Sequence, residues 1–293
     1  MIRRSGLALA LAMIAGCAAP ARAPNDPDTI VRVPPVAPLP PLGADWEIGG
    51  AQQQGGWLRG RVPRGAIALA ADGREVPLDG TKYFFMGLDR DAPAQVRLTA
   101  RAADGAMAER TVAIAPREWP IERVNVALRG SVPSESFMAR RRPELAAIEA
   151  ARAVRSESGG WAQTFIWPVK GRISGRFGAQ RIYQGVPGAY HSGLDIAPGA
   201  GTPYVAPADG VVVLATERPF SLEGNLLIVD HGMGLNSAFL HSATLAVKQG
   251  ERVRQGQVLG TVAATGRASG PHLHWSLKWQ DARLDPLLFL PER

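Results

Sequence analysis

Only five of the 293 residues are histidine, and all five lie between His191 and His274. Two stand one residue apart, His272 and His274, in the stretch "PHLHWSLKW". Along it Leu273, Trp275, Leu277 and Trp279 share one parity, and His272, His274, Ser276 and Lys278 share the other. A strand sends the two sets to opposite faces. One face is then a core surface, and the other projects two imidazoles whose α-carbons are about 7 Å apart. The stretch "YHSGLDIAPG" adds His191 and Asp195, in a segment that Gly193 and Pro198-Gly199 keep from being helical. An extended or bent segment can still bring residues i and i+4 to one face. Two imidazole nitrogens and one carboxylate oxygen make a three-ligand set suited to zinc, with a fourth position for water. Spacing alone does not say which member of His-x-His would be the ligand.

The elements that must position these residues are short strands. From Trp161 onward "ADGVVVLA", "GNLLIVDHG" and "GQVLGTVA" are β-branched runs between glycines, and "VKQGERVRQGQVLG" nearly repeats itself. This texture predicts tight strand-turn-strand folding over residues 161–293. Residues 46–130 read as a separate small β-sandwich-like domain. There Val96, Leu98 and Ala100 alternate with Arg97, Thr99 and Arg101, and two Asp-Gly pairs mark hairpins. The domain has no histidine or cysteine, and no chemistry is expected of it. Residues 131–160 read as a helical linker, with Ser134 as a cap, Pro143 opening a second segment and Ser158-Gly159-Gly160 ending it. Such a linker could lie over a groove and restrain activity.

The first residues carry an export signal. Arg3 and Arg4 precede an apolar run from Leu7 to Ala15. The run is too short for a membrane span of about 20 residues. "IAGC" then resembles a bacterial lipobox, which makes residues 1–16 a lipoprotein signal peptide and Cys17 the lipidated residue. An ordinary signal peptide cut after Ala23 is the alternative, and Pro24 disfavours it. Residues 17–45, with "PVAPLPPLG", form a proline-rich tether. The single cysteine excludes an intramolecular disulfide. The expected location is the cell envelope: exported, periplasmic and lipid-anchored to a membrane. The formal net charge of +7 suits an anionic partner without selecting one; no nucleic-acid partner is expected.

From about Phe165 to Leu290 the ordered motifs "WPVKGRISGRFG", "HSGLD", "GTPYVAPADGVV", "GNLLIVDHGMG", "FLH" and "TGRASGPHLHW" resemble the lysostaphin-type, LytM-like zinc endopeptidases of bacterial cell walls. The resemblance implies a mainly β fold, with a C-terminal antiparallel LytM-like domain built on a duplicated hybrid motif. It implies Zn2+ held by His191, Asp195 and His274, with His241 and His272 as catalytic histidines. The implied substrate is peptidoglycan, cut in its cross-links or stem peptides. The segment Phe239-Leu240-His241-Ser242 departs from the family's commoner Tyr-x-His-Leu, which puts local packing in question but not the metal set. His231 in "VDHGMG" reads as structural, Tyr190 as a packing residue and Asn225 as a turn residue. Some proteins of this fold have lost ligands and act as scaffolds or activators of other wall hydrolases, which leaves room for a protein regulator as partner. Here no ligand is lost. A lipoyl-type carrier would need a lysine at a hairpin tip, and neither Met-Lys-Met nor Asp-Lys-Ala is present.

Overall fold

The computed structural model describes residues 41–126 and 134–291. The expected signal peptide, Cys17 and most of the expected tether lie outside the described residues. Within them no helix is long and apolar enough to cross a membrane.

The chain is mainly β, as the strand patterns predict. At its centre lies a ten-stranded sheet, organised around the long strand Leu235–Leu245. That strand pairs with Asn225–Asp230 on one side and with Leu273–Trp279 on the other, both antiparallel. Beyond Leu273–Trp279 come Leu194–Ala197 and then Arg172–Gly175. The parity read from "HLHWSLKW" is what the sheet uses. Leu273, Trp275 and Leu277 are fully buried and Trp279 nearly so, while His274 and Lys278 are only partly covered. Burying four such side chains contributes roughly 1.5–3 kcal/mol each, so the strand's register is strongly specified.

Residues 47–124 form two small sheets and an added strand. One sheet joins Glu47–Gly49, Trp57–Arg61 and Tyr83–Gly87. The other runs Arg74–Val76, Ala66–Ala71, Gln95–Ala102 and Met107–Ala113. Leu58, Phe85 and Leu98 of these sheets belong to the same apolar core as Trp275 and Phe289. The strand Ile121–Val124 then leaves them and pairs in parallel with Gln180–Tyr183, which also pairs with Val186–Pro187. No periodicity announces this strand, because three of its four residues are exposed.

The helix is a single element, Glu135–Ala153, rather than two segments meeting at Pro143. Pro143 sits within it, where its missing N–H costs one intrahelical hydrogen bond. Ser134 caps the helix by accepting the Phe137 N–H at 3.2 Å. The helix packs Ile148 and Ala151 against Val213, Leu226, Ile228 and Ala238, on a face of the central sheet.

Candidate active site

Three strand segments bring His191, Asp195, His241, His272 and His274 together. Asp195 lies opposite His274 in the register of Leu194–Ala197 against Leu273–Trp279, and Leu240 lies opposite His274 on the other side. Gly193 permits the approach: a Cβ there would stand 2.7 Å from His274 Nε2 and 2.7 Å from the Trp275 carbonyl. Any side chain at 193 would push the His191 segment off the strand that carries His274.

One ligand atom from each of His191, Asp195 and His274 falls within a common 4.8 Å. His274 Nδ1 is 2.8 Å from Asp195 Oδ1, His191 Nε2 is 3.1 Å from that oxygen, and the two nitrogens are 3.2 Å apart. A tetrahedron with metal–ligand bonds of 2.0–2.1 Å has edges of about 3.3 Å. The triangle is therefore close to one face of such a tetrahedron, and the donor set suits a divalent metal of zinc's preferences. Burial would raise the Asp195 carboxyl, but hydrogen bonds from His191 and His274 outweigh it and hold the group well below the usual carboxylate range. Burial also lowers His274 and favours the neutral imidazole that a metal requires.

The other ring nitrogens are used differently. His191 Nδ1 donates to the Arg176 carbonyl at 3.1 Å, His241 Nδ1 to Thr265 at 2.7 Å and His272 Nδ1 to Gly270 at 2.8 Å. A carbonyl only accepts, so Nδ1 carries a proton in each ring, and in a neutral ring Nε2 then keeps its lone pair. His272 Nε2 stands 3.7 Å from Asp195 Oδ1, and the His241 and His272 rings are 4.9 Å apart. Burial depresses His241, so its Nε2 is free at neutral pH. These nitrogens open on two adjoining grooves. One, of about 660 Å³, is lined by Glu223, His241, Arg267, His272 and His274. The other, of about 1150 Å³, runs past Tyr190 and His191 to Ile121, Glu122 and Arg181. No residue of the Glu135–Ala153 helix lines either groove.

The fifth histidine is elsewhere. His231 is fully buried, with Nδ1 donating to the Asp209 carbonyl and Nε2 meeting Ser237 Oγ, both at 2.7 Å. Tyr190 stacks edge-on against Phe177, as a packing residue would, and Arg90 lies over its ring. Asn225 is in a strand rather than a turn, and its amide donates to the Ser242 and Ala243 carbonyls. Phe239 is fully buried and stacks on Tyr204, whose hydroxyl bonds Ser242 Oγ at 2.8 Å. The two residues that depart from the family pattern thus both meet Tyr204, one by ring stacking and one by a hydrogen bond. Glu223, Arg267 and the strand Ile121–Val124 at the groove walls escaped the sequence reading.

Residues 189–286 match the family model described as Peptidase family M23. A crystal structure assigned to peptidase M23 from Pseudomonas aeruginosa is 31% identical, covers 81% of this chain and 94% of that one, and superposes with a TM-score of 0.62. The chain belongs to peptidase family M23. Curated M23 relatives match more locally. Peptidoglycan DD-endopeptidase ShyA of Vibrio cholerae is 38% identical over 37% of this chain and 25% of its own length. Murein hydrolase activator NlpD of Escherichia coli is 33% identical over 44% of this chain and 32% of its own. The chain thus spans a quarter to a third of the length of these two relatives.

Proposed function

We propose that this M23 protein is a zinc-dependent endopeptidase that hydrolyses amide bonds in peptidoglycan cross-links or stem peptides and so remodels the cell wall. The observation that carries the reading is the convergence of His191 Nε2, Asp195 Oδ1 and His274 Nδ1, beside two imidazoles with free Nε2 atoms. In this reading His191, Asp195 and His274 hold the metal. Bound there, zinc would polarise a scissile carbonyl and lower the pKa of a water toward about 7. His241 and His272 move the protons. One Nε2 takes the proton from the attacking water, and an imidazolium returns it to the leaving amine or stabilises the developing oxyanion. The likeness to a peptidoglycan DD-endopeptidase supports the substrate class. In this reading the peptidase unit is residues 161–293, exported to the envelope and anchored through Cys17 by the tether of residues 17–45.

The test is digestion of purified sacculi with muropeptides identified by mass spectrometry. Hydrolysis should stop on chelation and return with zinc. A His272→Ala variant should keep zinc and lose hydrolysis; continued cleavage by either preparation would refute the assignment. A second reading, an activator of other wall hydrolases, is favoured by the likeness to NlpD. It predicts that His191→Ala leaves cellular function intact, and the complete His-Asp-His set is the feature that reading does not use.

A further inference from the structure

The helix Glu135–Ala153 lies outside the segment that matches the M23 family model, yet it grips the rim of the groove. Arg141 makes a two-pronged ion pair with Glu223, at 2.6 Å for each prong, and reaches Glu144 at 2.9 Å. Glu144 in turn accepts the Ser221 N–H at 2.8 Å and its hydroxyl at 2.7 Å. The Arg141 side chain is only 9% exposed, and Glu144 and Glu223 are little more so, at 13% and 15%. A forked guanidinium–carboxylate pair with so little water fixes both partners in direction as well as distance.

The segment so held, residues 221–224, carries the backbone that places His241. The Glu223 carbonyl accepts the His241 N–H at 2.9 Å, and the Leu222 carbonyl accepts the Arg267 N–H at 2.9 Å. Thr265, whose carbonyl takes the His241 ring proton, donates its hydroxyl to the Ser242 carbonyl and accepts the Asn225 N–H. His241 needs such bracing, because its backbone is left-handed, with φ at +65°. Both of its anchors, main chain and ring, therefore meet at the loop that Arg141 and Glu144 hold.

We infer that Arg141 is a positioning residue for His241, acting through Glu223, so that the helix preceding the M23 segment braces the wall of the catalytic groove from outside it. The inference rests on the peptidase reading for its kinetic consequence but not for its structural one. Loss of the fork lets the 221–224 loop shift, and small displacements of a proton-transfer group cost rate more than binding.

The experiment uses full-length, zinc-loaded Arg141→Met and Arg141→Lys, the second keeping the charge but not the fork. Histidine-ring NMR and hydrolysis kinetics are read on each. Expected are shifted or broadened His241 resonances with His231 unmoved, undiminished zinc content, and a kcat lowered about 10- to 100-fold with KM changed far less. Arg141→Lys shows the same pattern in smaller degree, and it decides the matter if Arg141→Met does not fold. His241 resonances that match the wild type, or that move only together with His231, overturn the inference. A wild-type protein that hydrolyses nothing would remove the peptidase reading, and the comparison of His241 with His231 would still decide the clamp.

Discussion

His231 and His274 lie in one sheet region, and burial pushes the pKa of both down. What differs is where their nitrogens point. Around His231 every polar atom has a protein partner: Asp209 carbonyl on one side, and on the other Ser237 Oγ, which also accepts Trp275 Nε1–H at 3.1 Å. Next to it Asp230 accepts from Ser156 and Asn236. Around His274 the polar atoms converge on one another at the edge of an open groove, with His191 Nε2, Asp195 Oδ1 and His274 Nδ1 standing 2.8–3.2 Å apart. Saturated polar clusters hold a fold together. A convergent His-Asp-His triangle that opens on a groove is suited instead to holding a divalent cation.

The largest effect that would test this contrast is His274→Ala. It should abolish stoichiometric zinc, measured by elemental analysis, and lower hydrolysis on the order of 10³-fold or more, several kcal/mol of barrier. His241→Ala and His272→Ala should each retain zinc while losing about 10²- to 10⁴-fold in kcat; zinc loss in either would move that residue into the ligand set. His231→Gln should do the reverse, keeping zinc and kcat within about tenfold while costing roughly 1–3 kcal/mol in urea unfolding. The same variant carries a pH signature. Burial takes His231 down to about 4, below the unfolded value of about 6.5. The unfolded chain therefore binds more protons between these values. The stability from the neutral buried ring is present above pH 6.5 and is lost as pH falls toward 4, by about 3 kcal/mol. Unfolding curves from pH 7 to pH 4 should be flatter for His231→Gln by that amount. Lys278→Ala gives the smallest effect. It lies on the parity of the histidines but only partly covered and away from the groove lining, and it should change stability by less than about 0.5 kcal/mol.

Parity made the strand at 273–279 legible, since a period of two with tryptophan and leucine on one side leaves few alternative placements. The close approach at Gly193 was half legible: the glycine argued against helix, but its proximity to His274 depends on a strand 80 residues later. Arg141 is the middle of three adjacent arginines in "MARRRPEL". Nothing local marks one arginine of three as the buried one, because its partner Glu223 lies 82 residues away. Ile121–Val124 was invisible for a related reason. An exposed strand that joins another at its edge shows no alternation, and its pairing is decided by what the rest of the chain leaves open.

The left-handed backbone of His241 has a consequence for anyone who would toughen this protein. A non-glycine residue in that region gives up about 1–2 kcal/mol, which glycine would recover. A screen for heat resistance would therefore find substitution of position 241 attractive, and its winners would be catalytically poorer. In the peptidase reading durability and turnover would be traded at a single α-carbon, and a stabilised version is better sought in the distant Asp-Gly turns.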